Sequence, residues 1–131
     1  RSDWVSTRKL LIAAGVSSSA IDRRITAGAL RSFGNGVVGL VAAPDGHRQL
    51  ARACLLAHPD GALSHVAAAY LHGLPMGDIV WAPHLVVPHG RSRSTSSPAL
   101  VRQSRRLPAT DLTIVEGLRT TTVARTLADL V

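Results

Sequence analysis

The chain has 131 residues, of which 46% are hydrophobic, so it can bury the core of one domain or of two very small ones. It has no apolar run near the roughly 18 residues of a membrane span and no signal segment, so we expect a cytosolic protein without membrane contact. Its single cysteine, Cys54, excludes an internal disulfide and a paired-cysteine zinc or redox site.

The formal net charge of +7 favours a polyanionic partner, because basic side chains near phosphates release condensed counterions. Fourteen of the fifteen basic residues are arginine, a bias also typical of GC-rich genomes, so position is more informative than number. Residues 1–45 carry six basic and three acidic residues, residues 46–90 two of each, and residues 91–131 seven and three. The positive charge is therefore concentrated towards the two ends of the chain.

Two short helices separated by a tight turn are predicted from residues 6–24, STRKLLIAAGVSSSAIDRR. Ser6 is a candidate N-cap for a helix over about residues 7–14, which Gly15 ends. Ser17 is positioned to cap a second helix that ends near Gly28. This arrangement is a helix-turn-helix.

The second helix separates an apolar side from a polar one. At 100° per residue, Ile21 and Ile25 share one side, while Ser19, Arg23 and Thr26 fall on the other. Hydroxyl and guanidinium groups hydrogen-bond to phosphates and base edges, so the polar side is a candidate DNA-reading surface. An ordinary solvated helix face is the alternative.

A β-hairpin is predicted next, over residues 30–43, LRSFGNGVVGLVAA. Asn35-Gly36 suits the positive φ of a hairpin turn. A helix-turn-helix followed by such a ribbon is a winged helix. A winged helix normally has a further helix in front, and only five residues precede Ser6, so we expect its first helix to be missing.

The rest of the chain predicts a mixture of helices and short strands. A helix is expected over about residues 47–58, packing on the apolar faces of the two short helices or nearby, with Leu50 and Cys54 buried. Ser64 is a plausible cap for an alanine-rich helix, and Thr122 for a final one. Strands are expected in HLVVP and ALVRQS, which flank a polar loop as a hairpin. LTIVEGLRTT is expected to form another strand or a tight pair of strands.

The predicted fold class is therefore α+β, with two domains. Residues 1–45 form an N-terminal winged helix-turn-helix, and residues 46–131 form a small α/β domain with short strands and a C-terminal helix. The final helix runs to the end of the chain without a stop signal, so we expect the second domain to be truncated.

Four motifs follow one another over nearly the whole chain: STRKLLIAAGVSSSAIDRRITAGAL with GVVGLV, LSHVAAAYLHGLP, VVPHGRSRS and RQSRRLPATDLTIVEGLRTTTVARTLADL. In the order and spacing of these motifs the chain resembles the AbiEi-type antitoxins and related actinobacterial winged-helix regulators. The resemblance implies an N-terminal DNA-binding domain that represses the toxin operon, followed by a domain needed for antitoxin action. By position, Ser19, Arg23 and Arg24 match the recognition helix, and Arg31 the start of the wing. The sequence departs from the family at Asn35 and Val38, where a basic residue and a tyrosine are frequent.

We therefore predict a sequence-specific DNA-binding repressor, cytoplasmic and nucleoid-associated, that acts as an autorepressing antitoxin of a type IV toxin-antitoxin system. Its expected partners are double-stranded promoter DNA and a nucleotidyltransferase-type toxin or the acidic or RNA target of that toxin. The predicted DNA-binding residues are Ser17, Ser19, Arg23, Arg24, Thr26, Arg31, Asn35, Arg8 and Lys9. A second basic patch comprises Arg91, Arg93, Arg102, Arg105 and Arg106.

No catalytic constellation, metal site or cofactor is predicted. A restriction-type nuclease core needs an acid and Glu-x-Lys, whereas the only lysine, Lys9, lies far from the only glutamate, Glu116. His65 and His72 lack a third metal ligand at helical spacing, so capping or core hydrogen bonding is the preferred interpretation of His65. Two alternatives remain open, namely the non-catalytic N-terminal part of a nuclease-like protein and a protein- or RNA-interaction module.

Overall fold

The computed structural model describes residues 3–90 and 97–131, which form two compact units. The first contains residues 3–57 together with Ser97 and Pro98, and the second contains residues 58–90 and 99–131. The predicted α+β class is confirmed, since the described residues form five α-helices and two sheets. No helix within these ranges is long and apolar enough to cross a membrane.

The first unit is built around a three-stranded antiparallel sheet of order β1-β3-β2. Two short helices connect the first two strands, and a longer helix follows the third. The elements are β1 (Val5–Thr7), α1 (Arg8–Ala13), α2 (Ser18–Thr26), β2 (Leu30–Gly34), β3 (Val37–Leu40) and α3 (Gly46–Ala57).

The two faces of this sheet carry different helices. Val37 points to the face covered by α3, where it clusters with Val5, Phe33 and Ala53. Val38 points to the other face and lines a cavity together with Ile21 of α2. The helix at 47–58 is confirmed, and it packs near the two short helices but on the opposite side of the sheet. Cys54 is buried as predicted, whereas Leu50 is only partly buried.

Of the two helix caps predicted for the first unit, the one at Ser17 is confirmed and the one at Ser6 is wrong. The hydroxyl of Ser17 caps α2 by accepting from the Ala20 N–H at 3.1 Å. Ser6 does not cap α1, because it pairs with Val38 as part of β1. Thr7 caps α1 instead, accepting from the Leu10 N–H at 3.1 Å.

Helix α3 is fixed to the N-terminal segment by a buried ion cluster. The carboxylate of Asp3 is 3% exposed and accepts from Arg48 Nε at 2.7 Å and from Arg52 Nε at 3.0 Å. Cys54, in the same helix, is fully buried, and burial raises the pKa of its thiol to about 11. The thiol therefore stays protonated and acts as a small apolar side chain.

The second unit contains a mixed five-stranded sheet of order β6-β5-β4-β8-β7. Helices α4 and α5 pack on each other, α4 also against β5 and α5 against β8. The elements are β4 (Ala62–Leu63), α4 (His65–Leu71), β5 (His84–Pro88), β6 (Leu100–Ser104), β7 (Leu112–Val115), β8 (Leu118–Thr121) and α5 (Val123–Leu130), with a 3₁₀ turn at Ala109–Asp111.

The strands HLVVP and ALVRQS are confirmed as β5 and β6, but the hairpin expected between them is wrong. They pair in parallel, from His84 opposite Leu100 to Pro88 opposite Ser104. A parallel pair cannot be joined by a tight turn, because the chain must return to the starting end of the sheet. The parallel pairing of β5 with β6 therefore excludes a hairpin between them.

Helix α5 is fixed by hydroxyl caps and by one arginine. Thr122 caps it as predicted, accepting from the Arg125 N–H at 3.2 Å. The Arg125 guanidinium forms ion pairs with Asp111 and Asp129, both at 3.0 Å. Ser64 occupies the N-cap position of α4 but makes no side-chain cap bond, because its hydroxyl lies 2.8 Å from His65 Nδ1.

We expect Gly39→Ala to lower the free energy of unfolding by about 1 to 3 kcal/mol. A Cβ at this position would lie 2.7 Å from Gln49 Nε2 and 3.0 Å from the Trp4 carbonyl oxygen. The amide of Gln49 could not withdraw without losing its bonds to the Trp4 and Leu40 carbonyls, at 3.2 and 2.9 Å.

Chemical denaturation of Gly39→Ala and of a matched control, Gly46→Ala, measures this effect. A Cβ at Gly46 meets nothing within 4 Å, so the control should be neutral or slightly stabilising. Equal stabilities of the two variants would contradict the tight packing at Gly39.

Candidate nucleic-acid interface

The turn between α1 and α2 is short and hydrogen-bonded. Gly15 has φ of +100°, which an L side chain rarely adopts, and the Val16 N–H donates to the Leu11 carbonyl at 3.0 Å. The caps at Thr7 and Ser17 define the first residues of the two helices. The sequence thus sets the lengths of both helices and the turn that joins them.

The outward face of α2 is polar and accessible. Ser19, Arg23 and Thr26 are all exposed, while Ile21 on the opposite side is fully buried. We call Ser19, Arg23 and Thr26 the α2 outward face. These three side chains present two hydroxyls and one guanidinium to solvent without an acid among them.

Arg8 links α1 to one edge of this face, a contact that the sequence pattern does not predict. Its Nη2 donates to Asp22 Oδ1 at 2.8 Å and to Ser18 Oγ at 2.9 Å. Residues 14 positions apart on separate helices give no periodic signal, so only the three-dimensional structure brings them together. The bridge partly neutralises the acid that borders the α2 outward face.

Every acidic residue of the first unit accepts a hydrogen bond from an arginine. Asp3 is bound by two arginines of α3, Asp22 by Arg8, and Asp45 accepts from the Arg48 N–H at 3.0 Å. By contrast, four exposed cations form no ion pair within the described residues: Lys9, Arg23, Arg24 and Arg31. The uncompensated positive charge therefore lies on α1, on α2 and on β2, the first strand of the hairpin.

Arg24 borders a cavity on the opposite edge of α2. The cavity has a volume of about 460 Å³ and lies between the two short helices and the sheet. Its lining is mostly apolar and includes Leu11, Val16, Ile21, Leu30, Val38 and Leu40.

The hairpin expected after α2 is confirmed, and its tip is a tight turn. Gly34, Asn35 and Gly36 all have positive φ, at 86°, 52° and 72°. Asn35 is exposed at this tip, and the Gly36 carbonyl accepts from the Arg8 N–H at 2.7 Å. Arg31 lies over the Phe33 ring at 4.3 Å from its centroid, so its guanidinium packs on the hairpin itself.

The second basic patch is only partly described. Arg91 and Arg93 lie outside the described residues. Arg102 is exposed on β6, and Arg105 and Arg106 are exposed just after it. These three arginines thus lie along and beyond one edge strand of the second sheet.

Two histidines of the second unit lie side by side. The ring centroids of His65 and His84 are 5.5 Å apart, and His65 has a positive φ of 51°. His84 Nδ1 and Asp129 Oδ2 are buried without a hydrogen-bond partner within the described residues. In those residues, no group of three or more His, Cys, Asp or Glu side chains could hold a metal ion.

Comparison with models of known protein families gives no match, and no curated protein matches the chain either. The resemblance to AbiEi-type antitoxins therefore stays a prediction from the motifs.

The histidine environments predict that the protein is less stable in mild acid. Burial lowers the pKa of His58, His65 and His84 from the ordinary value of 6.5. As the pH falls through 6.5, the unfolded chain therefore binds protons before the folded protein does, and the free energy of unfolding decreases. Above that pH these groups are neutral in both states and add no pH dependence.

Urea denaturation at pH 7.5, 6.5 and 5.5 measures this decrease. The His65→Gln/His84→Gln variant should show a smaller change with pH than the unaltered protein. Equal changes in the two proteins would contradict the assignment to these two imidazoles.

Proposed function

We propose that the protein is a sequence-specific DNA-binding transcriptional regulator whose first unit is a winged helix-turn-helix. The proposal is supported by the order of elements, with two helices between β1 and β2 and a hairpin after the second helix. Further support comes from the packing of α2 against β2 of that hairpin and from the bond between the Arg8 N–H and the Gly36 carbonyl at its tip. In winged helix-turn-helix domains the second helix enters the major groove.

The observation that carries the proposal is the α2 outward face. Its guanidinium and hydroxyl groups match the donors and acceptors that read phosphates and base edges. The neighbouring cations Lys9 and Arg24 have no acid partner within the described residues, so they are available for phosphate contacts. The Arg8–Asp22 bridge weakens the only negative charge on α2.

A finer proposal is that the regulator is an autorepressing antitoxin. Its support is the four-motif resemblance alone. A gene for a nucleotidyltransferase-type toxin beside this one, with binding of the protein to the promoter of the pair, would support it. A protein that binds a promoter without such a neighbour would be a regulator of another kind.

A protein- or RNA-interaction module is a second candidate function for the second unit. The observation that favours it is the row of exposed arginines at 102, 105 and 106 on and after an edge strand. These side chains would suit an acidic protein surface or an RNA backbone.

Binding to promoter DNA is tested directly by fluorescence anisotropy at about 150 mM salt. The protein should prefer its own promoter region over a random duplex of equal length. Equal affinities for the two duplexes would rule out sequence-specific regulation of that promoter.

Arg23→Ala should leave the fold intact and weaken binding to the preferred duplex by about 1 to 3 kcal/mol if Arg23 reads a guanine. The control Arg105→Ala removes the same charge from the second unit and should leave this binding unchanged. If Arg23→Ala lost the same binding free energy on specific and random DNA, Arg23 would be a phosphate contact. If binding to both duplexes were unchanged, Arg23 would not belong to the interface.

The separate role of the second unit is tested by the salt dependence of DNA binding. Neutralising Arg105 and Arg106 together should leave the slope of log affinity against log salt unchanged. If they extended the DNA footprint, the slope would fall by about two, since each phosphate contact contributes roughly 0.9.

A further inference from the structure

The α2 outward face has an acid at its edge. Asp22 lies one residue before Arg23, and its side chain is 65% exposed. Its Oδ1 accepts from Arg8 Nη2, whereas its Oδ2 makes no hydrogen bond or ion pair within the described part of the chain. One oxygen is therefore held in place while the other is open to solvent.

The Arg8–Asp22 bridge is a weak explanation for an acid at this position. Exposed ion pairs contribute little to stability, and the helices are already joined by their capped turn. A carboxylate on a surface that approaches phosphates reduces affinity for any DNA. An acid here lowers general DNA binding, so its benefit must lie in discrimination between sequences.

The major groove presents few groups that a carboxylate can accept from. Cytosine offers its N4 amino group, whereas guanine and thymine present acceptors that repel a carboxylate. Adenine offers its N6 amino group, but the N7 acceptor lies beside it. A carboxylate at the edge of a groove-reading helix therefore favours cytosine and disfavours guanine and thymine.

We infer that Asp22 is a specificity-determining residue, whose Oδ2 accepts from the N4 amino group of one cytosine in the major groove. Arg8 is a positioning residue that holds Oδ1, orients the carboxylate and reduces its repulsion of phosphates. This inference rests on the proposed function, because it requires that α2 enters the major groove.

The test is selection of binding sites from a random duplex library, followed by sequencing, for the full chain and its variants. The unaltered protein should select a C·G pair at one position by about 5- to 100-fold over the other pairs. Asp22→Ala should accept all four pairs at that position and keep its preferences elsewhere. Asp22→Asn should change the preference from cytosine to adenine, because an amide pairs with adenine N6 and N7.

The matched control is Asp78→Ala, which removes an exposed acid from the second unit. It changes the net charge equally and should keep the cytosine preference. Asp22→Ala should also bind random duplex more tightly than Asp78→Ala, since it removes an acid from the interface itself.

The outcomes separate this inference from the proposed function. If the unaltered protein selects a site and Asp22→Ala selects it with the same preference at every position, the inference is wrong and the proposed function stands. If the unaltered protein selects no site, both are wrong. Arg8→Ala should weaken the cytosine preference without abolishing it, and an unchanged preference would remove Arg8 from its positioning role.

Discussion

The first unit depends on a strand that is buried on both faces. Val37 of β3 points towards α3, and Val38 points towards α2, because successive side chains alternate across a strand. Gly39 leaves room for the Gln49 amide, which bonds to carbonyls at Trp4 and Leu40. This one strand therefore sets the positions of α2 and α3 on its two sides, and a shift of β3 would move the α2 outward face.

All three acidic residues of the first unit are bound by arginines, so the charge that remains unpaired there is positive. Asp3 forms buried ion pairs with two arginines of α3, and Asp22 forms an ion pair with Arg8. The cations without an ion pair within the described residues lie on the two short helices, at Lys9, Arg23 and Arg24, and on β2, at Arg31. Their positions depend on the fold, so composition alone does not give them.

Local elements could be predicted from the sequence because their signals are local. The cap at Ser17, the Asn35-Gly36 turn and the cap at Thr122 each act within a few residues and were found where expected. The cap of α1 was misplaced by one residue, since Ser6 takes part in a strand pairing with Val38 that local signals do not show.

Long-range arrangements could not be predicted in the same way. The parallel pairing of β5 with β6 depends on strand order in the whole sheet, while a polar loop between two apolar runs looks the same in a hairpin and a crossover. The placement of α3 and the Arg8–Asp22 bridge likewise depend on residues that are distant in sequence. Of the candidate site, the α2 outward face was predictable from periodicity, but the contact of Arg8 with Asp22 at its edge and the apolar cavity were not.

The mixed sheet of the second unit has a consequence for the order of folding. Its β4 strand pairs with β8 at Leu63 and Thr120, 57 residues apart, whereas β1 and β3 of the first unit pair at Val5 and Gly39. Long-range pairings need a large loop to close before their contacts form, so they form slowly. On the ribosome, the first unit therefore has all its strands available long before β8 is synthesised. Until then β4 has an unpaired edge, which makes it a site for misassociation between nascent chains.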